Sequence, residues 1–172
     1  MGIDSGRPIH MDLTPPLAEA VLARLVVELA DAVVVADTAG VIRFWNGAAE
    51  RVFGWSADEA LGASLDLIVP ERQRTRHWEG YRRVMSSGTT KYGSDLLRVP
   101  SLHADGQRRS IAFTVTLLRD ADGNVTGIAA VVRDETERWN REQELRRLAQ
   151  AAADPSIAGV EAPPAALSGP DA

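Results

Sequence analysis

The stretch RQRTRHWEGYRR, Arg72 to Arg83, places five arginines around a single histidine, with a tryptophan directly after it. A neutral imidazole is a strong nitrogen ligand, and guanidinium groups hold carboxylates and phosphates, so this segment could dock a group that needs one axial nitrogen and cationic support. The same residues also suit a plain surface helix, with His77 satisfied by a carbonyl or water and the arginines solvated. His77 has no ligand pair: His10 belongs to the N-terminal remnant and His103 to a polar turn. A zinc site of ordinary spacing is therefore not expected.

Composition narrows the chemistry further. The chain contains no cysteine, which excludes disulfides, thiolate-bound zinc, cysteine-ligated iron-sulfur clusters and any covalent cysteine adduct of a flavin or other chromophore. A net charge of -5 and a pI near 5.2 oppose nucleic acid and anionic membrane surfaces as partners. The most apolar window, LAEAVLARLVVELADAVVVA, is broken by Glu19, Arg24, Glu28 and Asp31, so no membrane span is expected. No secretory signal is visible, and the expected location is cytoplasmic. No nucleophile elbow, phosphate-binding glycine loop or metal-ligand cluster appears, and no enzymatic activity is expected. With 172 residues, one core plus flanking segments is the natural organisation.

The elements that must position His77 follow from periodicity and turn chemistry. Residues 1–11 read as a cloning remnant. Thr14 can cap a leading helix within 12–30, whose apolar positions Leu17, Val21, Leu25 and Leu29 recur every four residues. AVVVADTAGVIRFWN forms a hairpin about Asp37 to Gly40. Asn46 can cap a short helix, and SADE at Ser56 to Glu59 has capping-box spacing. Pro70 opens the His77 helix, and Gly88 closes it. Three strands follow, Tyr92 to Pro100, Arg108 to Leu118 and Val125 to Arg133. In the second, Ile111, Phe113, Val115 and Leu117 alternate with Ser110, Ala112, Thr114 and Thr116. The expected class is α+β: a five-stranded antiparallel sheet with helices on one face, over 31–134. A charged helix over 135–153 carries Trp139, Leu145, Leu148 and Ala152 as an apolar stripe, suited either to a short coiled-coil seam or to docking on the sheet. The Ala/Pro/Gly-rich 154–172 reads as a disordered tail.

This order of elements resembles the PAS family from about Leu25 to Arg138. The resemblance rests on ADTAGVIRFWNGAAERVFGWSADEALG, on HADGQ, and on DADGNVTGIAAVVRDETER, whose Asp134-Glu135-Thr136 looks like the Asp-x-Thr junction that links PAS domains to signalling helices. It implies a sensory or dimerisation module. Within that family, VPERQRTRHWEGYRR looks most like the helix of FixL-type oxygen sensors, and His77 falls on the proximal haem ligand. The resemblance also puts Arg83 near a haem propionate, and Phe113 and Val115 on the distal side. Tyr81, Tyr92, Leu97, Arg98 and Ile111 complete the candidate haem site. That family carries a Gly-Ile-Gly-Arg run on the next strand, whose arginine stabilises bound oxygen. Here the chain reads YGSDLLRVP: Leu97 takes the arginine's position, and Arg98 is one residue off, on the opposite face of a strand.

The resemblance thus implies a b-type haem sensor of oxygen, carbon monoxide or nitric oxide. The alternative is a PAS interaction module that is cofactor-free or binds a small metabolite. A non-covalent flavin near Trp45, Asn46 and Trp55 is a lesser option. Either reading expects a homodimer through Leu17, Val21 and Leu25 and the C-terminal stripe. A downstream signalling protein would receive the signal, whether the chain acts alone or within a longer receptor.

Overall fold

The computed structural model describes residues 15–90 and 95–153. Helix α1 (Pro15–Glu28) precedes a hairpin of β1 (Ala32–Asp37) and β2 (Ile42–Trp45). Helices α2 (Gly47–Phe53) and α3 (Ala57–Ala60), a 3-10 turn at Leu65–Leu67, and the long helix α4 (Glu71–Ser87) follow. Strands β3 (Leu97–Leu102), β4 (Arg108–Arg119) and β5 (Val125–Asp134) then lead to α5 (Thr136–Ala153). Two units divide between Glu135 and Thr136.

Local chemistry sets most boundaries. At the β1–β2 turn the Asp37 carboxylate accepts the backbone N–H groups of Ala39 and Val41 at 2.9 and 3.0 Å. Gly40 there has φ +78°, a conformation that disfavours other residues. The expected capping box forms at α3, with the Ser56 side chain accepting the Glu59 N–H and Glu59 accepting the Ser56 N–H. Helix α4 begins after Pro70 and ends at Gly88, whose left-handed backbone lets its N–H reach the Val84 carbonyl.

The sheet is antiparallel throughout, in the order β2-β1-β5-β4-β3. Its inner face contributes Ala32, Val34, Ala36, Ile111 and Val132 to one core, which also holds Trp45 and Phe53 beside the short helices and Tyr81 from α4. The third expected strand lies at Leu97–Leu102 and not at Tyr92–Pro100. Proline costs an edge strand no ladder bond when its nitrogen faces outward, so Pro100 does not end it, and Leu102 donates to the Ile68 carbonyl at 2.9 Å. Tyr92, the 1–11 remnant, the Thr14 cap and the 154–172 tail lie outside the described residues, as does the Leu17 side chain.

Helix α1 leaves its stripe uncovered, with Val21 and Leu25 exposed at 44% and 55%. Along α5, Trp139, Leu145 and Leu148 are likewise exposed, and Arg138–Glu142 and Arg147–Glu144 ion pairs lace its surface. No helix among the described residues is long and apolar enough to cross a membrane.

Candidate functional site

Helix α4 is anchored by two aromatic side chains on either side of one turn. Trp78 donates its indole N–H to the Asp66 carboxylate at 2.8 Å. Its ring lies so close over Gly40 that an added Cβ would fall 2.3 Å from the ring, so the glycine of the hairpin turn serves the contact as well as the turn. Tyr81 donates its hydroxyl to the Asp37 carbonyl. Burial, with the Asp37 charge, pushes that phenol up to about 12, so it remains a donor at any working pH.

His77 completes the cluster. Its ring stands edge-on to Trp78 at 5.0 Å and tilted to Tyr81 at 5.8 Å. Its Nδ1 is buried and has no hydrogen-bond partner, so neither a neighbouring carbonyl nor a hydroxyl satisfies it. Burial holds the imidazole below the ordinary histidine range, and the Asp66 charge opposes this without reversing it. The ring is therefore neutral at pH 7, which is the form that ligates metals. Among the described residues no three His, Asp or Glu side chains gather to hold an ion. A metal on His77 would have to arrive inside a prosthetic group that supplies its other ligands, and the donor set fits haem in that respect.

The strand register sorts the remaining candidates. Leu97 pairs with Phe113, and Val99 with Ile111, so these four side chains share the helix-facing side together with Val115. Ile111 is in the core, and Phe113 and Val99 pack against it. Arg98 pairs with Ala112 and belongs to the opposite face, where its Nε donates to Glu135 at 2.9 Å. That removes Arg98 from the wall where His77's neighbours lie, because a strand alternates its side chains residue by residue. Arg83 is exposed on α4, as are Arg72, Arg76 and Arg82. Arg74 differs: its guanidinium donates to the Asp66 and Val69 carbonyls and ties α4 to the 3-10 turn.

The lesser flavin option meets a specific obstacle at Asn46. Its Oδ1 accepts the N–H groups of Val33 and Ala49, both at 2.9 Å, and its Nδ2 donates to the Val26 and Asp31 carbonyls, both at 3.2 Å. The amide has no hydrogen bond left to offer a ligand. The Trp45 indole is also committed, to the Trp55 carbonyl at 3.1 Å. His103 lies in the polar turn expected of it, its carbonyl accepting the Gly106 N–H at 2.9 Å, and its ring also lies close against Gly54, with Nδ1 2.9 Å from the Asp105 carboxylate.

Two ion pairs on the outer face escaped sequence reading. Arg133, near the end of β5, makes a two-pronged contact with Asp31 at 2.6 and 3.0 Å, and this pair holds the Asp31 carboxyl below its ordinary range. Glu135 receives Arg98 and donates its own N–H to the Ser110 carbonyl at 2.8 Å. Together they rim a half-open depression of about 200 Å³, with Leu96, Ala112, Thr114 and Val131 in its lining. Their partners are up to 102 residues apart in sequence, and no local pattern announces them.

The profile of the PAS fold matches residues 26–140, and the chain belongs to that family of sensory domains. The sensor protein FixL of Bradyrhizobium diazoefficiens is 47% identical over 47 residues, 27% of this chain and 9% of that protein. The oxygen sensor protein DosP of Escherichia coli is 25% identical over 107 residues, 62% of this chain and 13% of that protein. The chain thus spans a small part of these relatives' length. Among solved structures, an RNA-binding light-oxygen-voltage receptor superposes with a TM-score of 0.67 at 24% identity, covering 85% of this chain and 41% of that one; this likeness concerns the fold.

Proposed function

We propose that this PAS domain binds b-type haem through His77 and senses a diatomic gas, relaying the signal through its terminal helices. The observation that carries the reading is the buried, unpartnered Nδ1 of a neutral imidazole on the helix that faces the sheet. The names of the FixL and DosP relatives support it. The chemistry that haem supplies when bound is reversible capture of oxygen, carbon monoxide or nitric oxide at its iron.

In this reading the chain's own residues have distinct tasks. His77 would supply one imidazole nitrogen to the group, and Trp78 and Tyr81 brace its ring. Leu97, Ile111, Phe113 and Val115 form an apolar wall that keeps water out. Arg83, exposed about 1.7 helical turns beyond His77, is free to approach a propionate. A change felt by β4 has a short path outward, through its pairing with β5 and the Ser110 bond to Glu135, to the Asp31–Arg133 and Arg98–Glu135 pairs. A gas acts as a signal only if it binds one arrangement of these contacts better than another.

The test is an absorption spectrum of the purified protein before and after hemin addition, then after reduction and exposure to carbon monoxide. One equivalent of hemin should give a sharp Soret band that shifts with carbon monoxide. His77→Ala should lose it while keeping its circular dichroism. Unchanged hemin binding in His77→Ala refutes the ligand assignment.

A second reading is favoured by a different observation. Val21, Leu22, Leu25 and Val27 are all exposed on α1, more apolar surface than a short solvated helix commonly shows. This supports homodimerisation through the terminal helices, with or without a cofactor.

A further inference from the structure

Of the five arginines between Arg72 and Arg83, only Arg74 is engaged within the fold, by Asp66 and Val69. Among the described residues no carboxylate or carbonyl holds Arg72, Arg76, Arg82 or Arg83, and all four are exposed. Arg72, Arg76, Glu79 and Arg83 follow one another at steps of four, three and four residues, so they form one row on the side of α4 opposite the buried Tyr81. At the helical rise this row is about 16 Å long. Arg72 and Arg76 repel each other at the four-residue spacing that weakens a helix, so the fold itself gains nothing from them there. An anionic partner reverses the sign of that cost.

Gly80 stands beside the row, between Arg76 and Arg83. It lies in the interior of α4, where glycine is the poorest helix former after proline. Its backbone is not left-handed, and a Cβ added there would meet nothing within 4 Å, so neither turn geometry nor packing inside this fold calls for it. It does leave room for a second helix to come close from outside, because the distance between packed helices is set by the side chains at their contact.

The charge pattern selects the occupant. Glu79 interrupts the row and would repel a continuous line of phosphates, whereas a helix of mixed charge can place a cation against it and gain a fixed register. Among the described residues no aromatic side chain is exposed on this side of α4 to stack on a base. The chain's net charge of -5 also opposes nucleic acid and anionic lipid at long range, while a small acidic helix feels mainly the arginines within a Debye length.

We infer that the exposed side of α4 docks an acidic helix of a partner protein, whose carboxylates meet Arg72, Arg76 and Arg82, whose own cation meets Glu79, and whose backbone crosses at Gly80. Arg83, which the haem reading directs to a propionate, is not needed for this contact, and the inference is independent of that reading.

The test is fluorescence anisotropy with a labelled, alanine-rich helical peptide of about twenty residues, long enough to hold its helix. It carries glutamates opposite Arg72, Arg76 and Arg82 and a lysine opposite Glu79, made in forward and in reversed order. At low salt one of the two orders should bind the full chain at least about fivefold tighter than a scrambled peptide of the same composition. Arg72→Glu with Arg76→Glu should weaken it roughly tenfold or more, and a peptide with lysines opposite those two positions should recover the loss. Gly80→Ala should keep or raise thermal stability, as alanine favours the helix, and still weaken the peptide about threefold. Circular dichroism checks the fold of each variant. Equal binding of ordered and scrambled peptides, no binding of either, undiminished affinity in the arginine double variant, or tighter binding of an oligouridine or of phosphatidylserine vesicles overturns the inference. None of these results bears on hemin uptake at His77.

Discussion

Replacing Asn46 with alanine removes a side chain that stands in for backbone at three places. Its Oδ1 continues the β1–β2 ladder one step past Trp45 by accepting the Val33 N–H, and it caps α2 by accepting the Ala49 N–H. Its Nδ2 holds the carbonyls of Val26 and Asp31, at α1 and at the connection into β1. Asn46 is only 3% exposed and Val33 only 5%, so water does not readily replace these bonds. A stranded buried donor costs about 1–3 kcal/mol, and loss of an N-cap costs about 0.5–2 kcal/mol. Asn46→Ala should therefore lose about 3 kcal/mol, read as a urea midpoint lower by about 1–2 M with an unchanged slope. Asn46→Asp keeps the acceptor but turns its second oxygen against two carbonyls. Its carboxyl should titrate above the unfolded value of about 3.9, so this variant should be less stable than the natural chain at pH 7 and recover as pH falls through the folded pKa. Tryptophan fluorescence and circular dichroism would follow both. A midpoint for Asn46→Ala within about 0.3 M of the natural chain would show that the four bonds are replaced by water, and the reasoning from burial would be wrong.

His77 should leave a signature in the pH dependence of the hemin-free protein. Its folded pKa lies below the unfolded value of 6.5, so the unfolded chain takes up a proton that the folded chain resists, and stability present above about pH 6.5 declines below it. The stability of the natural chain relative to His77→Phe should be flat above pH 7 and fall as pH drops below about 6.5; a constant offset at every pH would remove burial as the cause. For self-association, Val21→Asp with Leu25→Asp on α1, and separately Leu145→Asp with Leu148→Asp on α5, should each raise the dimer dissociation constant at least tenfold in sedimentation equilibrium. A dimer that survives both pairs lies elsewhere.

Much of this molecule was legible because it is decided within a few residues. The capping box at Ser56 and Glu59, the Asp37–Gly40 turn, the stop at Gly88 and the alternation of Ile111, Phe113 and Val115 all express local hydrogen bonding or a two-residue period. Periodicity and turn signals already counted five strands with helices on one face; the resemblance added the family and the candidate haem position at His77. Even the opposite facing of Leu97 and Arg98 follows from strand geometry once a strand is granted there.

What only the tertiary structure decided are meetings between distant parts of the chain. Asn46 reads as a cap, yet its other three bonds go to backbone 13 to 20 residues away. Arg98 and Arg133 read as surface charges, and they find Glu135 and Asp31 only because the order β2-β1-β5-β4-β3 sets the entrance and exit of the sheet side by side. Trp78 could have met a sheet edge or a partner, and it meets Gly40 because that is the one residue in the hairpin turn small enough to admit its ring. A side chain's type and period fix which face it takes; which atoms wait on that face depends on chain closure over long separations, where no local propensity reaches.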